Sequence, residues 1–330
     1  MTETELLRRK LFAEFDPRKN TLSDLAHRLL DDQKKGWARL YQGYASLGSV
    51  MDREIACDGF IVKLQWNPQR HVSTSAKVDE KSIRERKCFL CLENLPEEQK
   101  GILYNDEFLV LCNPAPIFRT HYTISHVKHI PQSIEPAINS MLDLAKDLSP
   151  ALSVFYNGPK CGASAPDHLH FQASPRNAIP VELDAVDARR RTMLRKSPSI
   201  AVLGMKHYGR SLVVIESTDQ IDLTDFLKNI FSLWKKVAGT SEEPMMNLIC
   251  TYREMVWRVI LFLRSKHRPE IYFQEGDSRV LISPAAVDMG GLVITPVERD
   301  FHRVDREMIE TILSEVSFPG EQVDEIIKHL

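Results

Sequence analysis

Long apolar runs are missing from this 330-residue chain, since no stretch approaches the roughly 20 consecutive apolar residues that a bilayer-spanning helix needs. The opening segment, Met-Thr-Glu-Thr-Glu-Leu-Leu-Arg-Arg-Lys, mixes acid and base where a secretory signal would carry an apolar centre. The expectation is a cytoplasmic chain with no membrane partner. An excess of one charge is missing too: 43 Lys and Arg stand against 45 Asp and Glu, a formal net charge of −2. Duplex nucleic acid is therefore not an expected partner, although local basic clusters can still take small anions. Cysteine is sparse. Six thiols in a chain of this length, without a signal segment, argue against a disulfide framework. Four of them, Cys57, Cys112, Cys161 and Cys250, sit alone in mostly apolar surroundings and read as small buried hydrophobes, which leaves Cys88 and Cys91 as the only close pair. What is abundant is ordinary: 43% hydrophobic and 27% charged residues suffice for a real core in one large domain or two of usual size.

Periodicity predicts helices over 3–15 and 21–47, the second opening on Thr21-Leu-Ser-Asp as a cap and carrying Leu25, Leu29, Leu30, Trp37, Leu40 and Tyr41 at helical spacing. Strands are predicted from Gly59, at Phe108, from Ile117 and at Leu152–Asn157, with a helix over 133–148. A mostly helical connection is expected over about 181–196. After it come strands at 211–216, 246–251, 257–263 and 292–295, a helix near 223–237, and helices after Asp305 and Gly320. Strand, helix and strand recur in both halves without a residue-level repeat. The expected fold is α+β: antiparallel sheets with packed helices in two related halves. The expected division is an N-terminal helical extension over 1–50, a catalytic domain over 51–180 and a second domain over 181–330.

Five of the eleven histidines fall between 121 and 170, a density that suggests chemistry rather than packing. Cys88-x-x-Cys91 has the spacing at which two thiolates from one turn reach a single tetrahedral metal; a redox pair or two packed thiols are the rivals. With His129 and His168 the pair completes a Cys2His2 set suited to structural zinc, His126 competing with His129 for the third place. His168, His170 and Gln172 alternate with Leu169, Phe171 and Ala173, which puts both imidazoles and the amide on one strand face. A neutral His170 can attack phosphorus when its other ring nitrogen keeps a proton on a fixed acceptor, and Gln172 beside it can donate to a phosphoryl oxygen at any pH. The preceding turn, from Asn157 through Ser164, is either a phosphate cradle or simply a structural turn. Arg70, with His71, Ser73, Ser75 and Lys77, forms a basic loop that either holds phosphate or is solvated. The same two readings apply to Arg264, Lys266 and His267 at the exit of an apolar strand.

Together these residues resemble the histidine-triad (HIT) superfamily in its transferase branch, which includes galactose-1-phosphate uridylyltransferases, diadenosine-polyphosphate phosphorylases and GDP-hexose phosphorylases. His168-Leu-His-Phe-Gln172 is similar to the branch's His-x-His-x-Gln signature, Asn113 to Ile124 resembles its strand-turn-strand, and Cys88-Phe-Leu-Cys91 resembles the uridylyltransferase zinc pair. The likeness spans about residues 59–175. It implies a nucleotidyltransferase or phosphorylase in which His170 becomes nucleotidylated and Gln172 binds the transferring phosphoryl group. It further implies zinc on Cys88, Cys91, His129 and His168, and phosphate partners in Asn157 and Ser164. Ser164 stands six residues before His170, where uridylyltransferases have five. The implied substrates are an NDP-sugar or dinucleoside polyphosphate with phosphate or a sugar phosphate as acceptor, the base and sugar being open. A homodimer is compatible with the chain. A histidine-triad hydrolase and a non-catalytic nucleotide sensor are the alternative readings.

Overall fold

In the computed structural model, which describes residues 2–74 and 79–329, fourteen strands can be named among the described residues. In chain order they are β1 (Leu11–Glu14), β2 (Met51–Ala56), β3 (Ile61–Trp66), β4 (Gly101–Tyr104), β5 (Phe108–Cys112), β6 (Tyr122–His126), β7 (Leu152–Asn157) and β8 (His170–Pro175). The second half supplies β9 (Arg191–Lys196), β10 (Ile200–Met205), β11 (Leu212–Ser217), β12 (Met246–Arg253), β13 (Val256–Leu263) and β14 (Leu292–Thr295). Eleven of them make one sheet in the order β1-β4-β5-β6-β8-β7-β12-β13-β11-β10-β9, antiparallel throughout except for the β1–β4 edge. The other three make a small sheet in the order β14-β3-β2.

The two halves repeat one plan. β4 to β8 and β9 to β13 are each five strands with a helix between the third and fourth: Ile138–Asp147 in the first half, Gln220–Val237 in the second. The fourth strands, β7 and β12, join the halves antiparallel, with Asn157 opposite Asn247. One face of the large sheet packs under these helices and under Leu22–Gly36, burying Phe171 and Ala173 of β8 and Leu169 just ahead of it. The other face packs against the small sheet and the C-terminal helices, with Phe155, Phe118, Val293 and Ile312 in its core. Alternation therefore turns His170 and Gln172 toward this second face.

Three stretches differ from the periodicity reading, and three further strands lie outside it. The first helix ends at Lys10, and 11–14 form β1, pairing in parallel with β4 instead of continuing the helix. The second helical stretch breaks at Trp37 and closes in a 3-10 turn at 46–49. Of the expected helix over 181–196 only Pro180–Asp184 is helical, and Arg191–Lys196 is the edge strand β9, almost wholly exposed on both faces. A strand that buries neither face leaves no alternation to read, and its basic residues protect a free edge. Strands β2, β4 and β10 were not anticipated either; β4 is buried on both sides, so it too lacks alternation. No helix among the described residues is long and apolar enough to cross a membrane.

Candidate active site and metal centre

Cys88 and Cys91 lie in a tight turn before β4, closed by the Cys91 N–H donating to the Cys88 carbonyl at 3.3 Å, with the Asn94 amide donating to the same carbonyl at 2.9 Å. His129 follows β6 and His168 precedes β8, so adjacent strands deliver both imidazoles to the two thiols. Cys88 Sγ is 3.3 Å from His168 Nδ1, Cys91 Sγ is 3.1 Å from His129 Nδ1 and 3.7 Å from His168 Nδ1, and all four ligand atoms lie within 4.8 Å of one another. Zinc bonds of about 2.0–2.3 Å at tetrahedral angles put ligand atoms roughly 3.3–3.8 Å apart, so the three closest separations, 3.1–3.7 Å, are consistent with a metal ion of that kind. The His168 Nε2–H donates to the His126 carbonyl at 2.7 Å, which leaves Nδ1 bare toward the thiols. Asp167, held by Arg86 at 2.6 Å, stands 3.8 Å behind His129 Nε2. Burial and the neighbouring Cys88 push the Cys91 thiol up to about 12, the strain of two thiols sharing a buried site that a divalent cation relieves. His126 is not in the cluster: its ring lies edge-on to Phe108, and it contributes only its carbonyl.

His170 is 4% exposed, and its Nδ1–H donates to the His168 carbonyl at 2.8 Å, so the lone pair sits on Nε2. Burial lowers its pKa to about 4, which keeps the ring neutral at physiological pH. The β7–β8 ladder stops at Phe155–Gln172; continued in register it would pair Tyr156 with Phe171 and then Asn157 with His170. Between these two sits the side-chain amide of Gln132. Its Oε1 accepts the His170 N–H at 2.8 Å, and its Nε2 donates to the carbonyls of His170 at 3.0 Å and of Asn157 at 2.9 Å. A side chain thus replaces one rung of the ladder and holds the strands apart at His170.

Gln172 is half-buried, with Oε1 accepting from His121 Nε2 at 2.9 Å. Arg70 donates to the Ala115 carbonyl at 2.9 Å and stands near enough to His121 to disfavour its protonation. The Asn157 Oδ1 accepts twice, from Asn247 Nδ2 at 2.9 Å and from the Ala286 N–H at 2.8 Å, which leaves its amide donors as the free end. Gly162 turns the following loop at φ +94°, and a Cβ there would meet Ala285 Cβ at 2.6 Å. Ser164 is half-buried, and its carbonyl lies 3.5 Å from an Arg86 nitrogen.

The second-half cations are placed differently from the sequence expectation. Arg264 is 1% exposed, and its five N–H donors are spent on Asn247 Oδ1 and the carbonyls of Val316, Pro284, Lys266 and His267. No donor is left for a phosphate, so the sequence reading of Arg264 is corrected: it anchors Asn247, and through it Asn157. Lys266 is paired with Glu270 and Glu315 at 3.1 and 2.6 Å. Burial and the charges of Arg268 and Arg264 push His267 down to about 3, and its Nε2 lies 3.5 Å from Ser283 Oγ. Of the basic loop, Ser75 and Lys77 lie outside the described residues.

A search of curated proteins returns no match. A family model described as a domain of unknown function, DUF4922, matches residues 29–175, less than half of the chain. Among solved structures, yeast Ap4A phosphorylase Apa2 in complex with AMP aligns with a TM-score of 0.59 at 14% identity, covering 89% of this chain and 96% of that one. The same yeast enzyme in complex with Ap4A aligns with a TM-score of 0.54 at 14% identity, covering 87% and 98%. The chain shares the fold of the yeast Ap4A phosphorylase Apa2.

The sequence of the second half carries no second closely spaced histidine pair. The corresponding end of β13 holds Arg258, which donates to Glu216 at 2.7 Å, and Arg191 joins the same carboxylate at 2.9 Å. Three buried polar residues at the site have no counterpart in the roles read from sequence: Gln132, His121 and Asn247. His121 belonged to the histidine cluster and could have been weighed. Gln132 and Asn247 stand in no motif, and only the backbone and side-chain groups they satisfy give them away.

Proposed function

We propose that the chain is a nucleotidyltransferase that passes a nucleoside monophosphate through His170. The donor is an NDP-sugar or dinucleoside polyphosphate, and the acceptor is phosphate or a sugar phosphate. The observation that carries this is the His170 ring, buried, neutral and fixed by its Nδ1–H on the His168 carbonyl, with Nε2 left to react. Nε2 attacks the α-phosphorus, an N–P bond forms, and the bond to the bridging oxygen breaks, releasing the distal phosphate-bearing portion. An acceptor phosphate oxygen then attacks the same phosphorus, the P–N bond breaks, and the pair returns to the ring. The proton on Nδ1 stays in place through both steps, and the His168 carbonyl offsets the positive charge the ring gains. The Gln172 amide, the Asn157 amide and the Ser164 hydroxyl are the proposed contacts to phosphoryl oxygens, with Arg70, the cation beside His121, as a further proposed contact.

Cys88, Cys91, His129 and His168 would hold zinc, which when bound supplies a rigid cross-link at the residue whose carbonyl orients the nucleophile. In this reading residues 51–180 carry the chemistry, 181–330 buttress it, and 1–50 extend it. The proposed compartment is the cytoplasm, where cysteines stay reduced and thiolates can serve as metal ligands.

The test is to incubate the protein with NDP-sugars and dinucleoside polyphosphates labelled on the α-phosphate, quench in denaturant and look for label on the chain. Wild type is expected to trap one nucleotide per chain and His170→Ala none, with ping-pong kinetics. Full turnover by His170→Ala rules the mechanism out. Nucleotide release that ignores added phosphate identifies a hydrolase, and binding without His170-dependent turnover a sensor.

A further inference from the structure

We infer that His121 is a positioning residue that fixes which way the Gln172 amide faces. The inference rests on the proposed role of Gln172, and its own observations are geometric. His121 is fully buried, and each ring nitrogen has one partner: Nδ1 accepts the Ile117 N–H at 3.3 Å, and Nε2 meets Gln172 Oε1 at 2.9 Å. A nitrogen that accepts an N–H cannot carry a proton, so the ring proton is on Nε2.

That settles the amide. With Nε2 protonated, only a carbonyl oxygen can face the ring. A flipped Gln172 would set its NH2 against the Nε2–H, donor against donor, in a site where neither has another outlet. The two N–H donors of Gln172 therefore turn away from His121, on the strand face shared with His170. The alternative, a doubly protonated ring, would break the Ile117 bond and place a second cation beside Arg70. Burial and the Arg70 charge hold the imidazole down to about 3, so the arrangement persists across the physiological range. Arg70 is the charged group that bears on it; Phe118 and Phe155 make ring contacts at 5.6 and 6.2 Å. An amide alone could present either end to a phosphoryl group. An amide locked by a neutral imidazole presents donors only, which is what an anionic phosphoryl group requires.

The test has one arm that does not depend on substrate. Nitrogen-15 NMR of the histidine rings in the full chain, assigned with His121→Gln, is expected to show His121 protonated at Nε2 and bare at Nδ1 over roughly pH 5 to 8. A ring protonated at Nδ1, or a cationic ring at neutral pH, overturns the inference whatever the enzyme does. The second arm is kinetic. His121→Phe removes the donor and is expected to lower kcat roughly 10- to 100-fold with little change in the acceptor KM. Combined with Gln172→Ala it should add nothing to the loss from Gln172→Ala alone, because the two act as one unit. His121→Gln, which can offer an amide N–H from a similar place, should recover most of the rate. Additive losses, or equal losses in the Phe and Gln variants with folding intact by circular dichroism, overturn it. Should His121→Phe fail to fold, the Gln variant and the NMR arm still decide the question. Absence of turnover with every donor would count against the proposed function, while the ring protonation would still be read directly.

Discussion

Gln132 and His170 are joined by two hydrogen bonds running in opposite senses, the His170 N–H to Oε1 at 2.8 Å and Nε2 to the His170 carbonyl at 3.0 Å. This is how two peptide groups pair in a sheet, with a side chain taking the place of the neighbouring strand. Gln132→Leu is of similar size and leaves one buried N–H and two carbonyls, including that of Asn157, without a partner. At about 1–3 kcal/mol for each stranded group, and less than additively, the variant should lose on the order of 3 kcal/mol in urea unfolding. Nucleotidyl transfer should fall more steeply than stability, because the gap between β7 and β8 closes or frays at the nucleophile. A variant of unchanged stability and rate would show that the amide is dispensable.

Elemental analysis of protein purified without added metal is expected to find about one zinc per chain, lost in Cys88→Ser and in His168→Asn. His126→Ala should keep its zinc, since His126 meets the cluster only through a backbone carbonyl. Chelation should lower the melting temperature and depress transfer as well, because His168 serves the metal with Nδ1 and the nucleophile with its carbonyl.

Arg264→Ala and Lys266→Ala should separate cleanly. The first strands three buried and two part-buried acceptors and should cost on the order of 3 kcal/mol or more in an equilibrium unfolding measurement. The second removes only surface ion pairs and should change stability by less than about 1 kcal/mol, with kinetics unaltered. A selective rise in acceptor KM for Arg264→Ala at wild-type stability would return it to phosphate binding.

Acid should expose His121. Its pKa is about 3 in the folded protein against an ordinary value of 6.5, so the unfolded chain takes up the proton first as pH falls. The contribution to stability is whole above about pH 6.5, declines as pH drops, and is fully lost near 3. Comparing wild type with His121→Gln isolates this group from the carboxylates and metal ligands that titrate in both. The stability difference should shift against wild type by at most about 1.4 kcal/mol per pH unit across that window. A difference that stays flat with pH would mean the ring titrates normally.

The sequence exposed the parts of the site that depend on residue type and short spacing. Cys88, Cys91, His168, His170 and Gln172 announce themselves because a metal and a nucleophile need those groups close together on a turn or one strand face. His129 could not be told from His126 by spacing; it took the register of β6 against β8 and the direction of one carbonyl. Arg264 was misread because a basic cluster after an apolar strand looks the same whether it is solvated or folded inward to cap carbonyls. Gln132 and Asn247 were illegible because they act on backbone and amide groups, and nothing in sequence marks which amides will be stranded. In the fold, two of the strands that escaped detection, β4 and β9, are buried on both faces and on neither, so no alternation marks them.

The catalytic end also depends on a late arrival. β3 has β14 as its parallel partner, and the Ala286 N–H just ahead of β14 holds the Asn157 amide oxygen. A ribosome that has released every histidine and cysteine of the site has therefore not yet released the segments that set Asn157 in place. Synthesis runs through most of the second half before His170 and Asn157 gain their full surroundings.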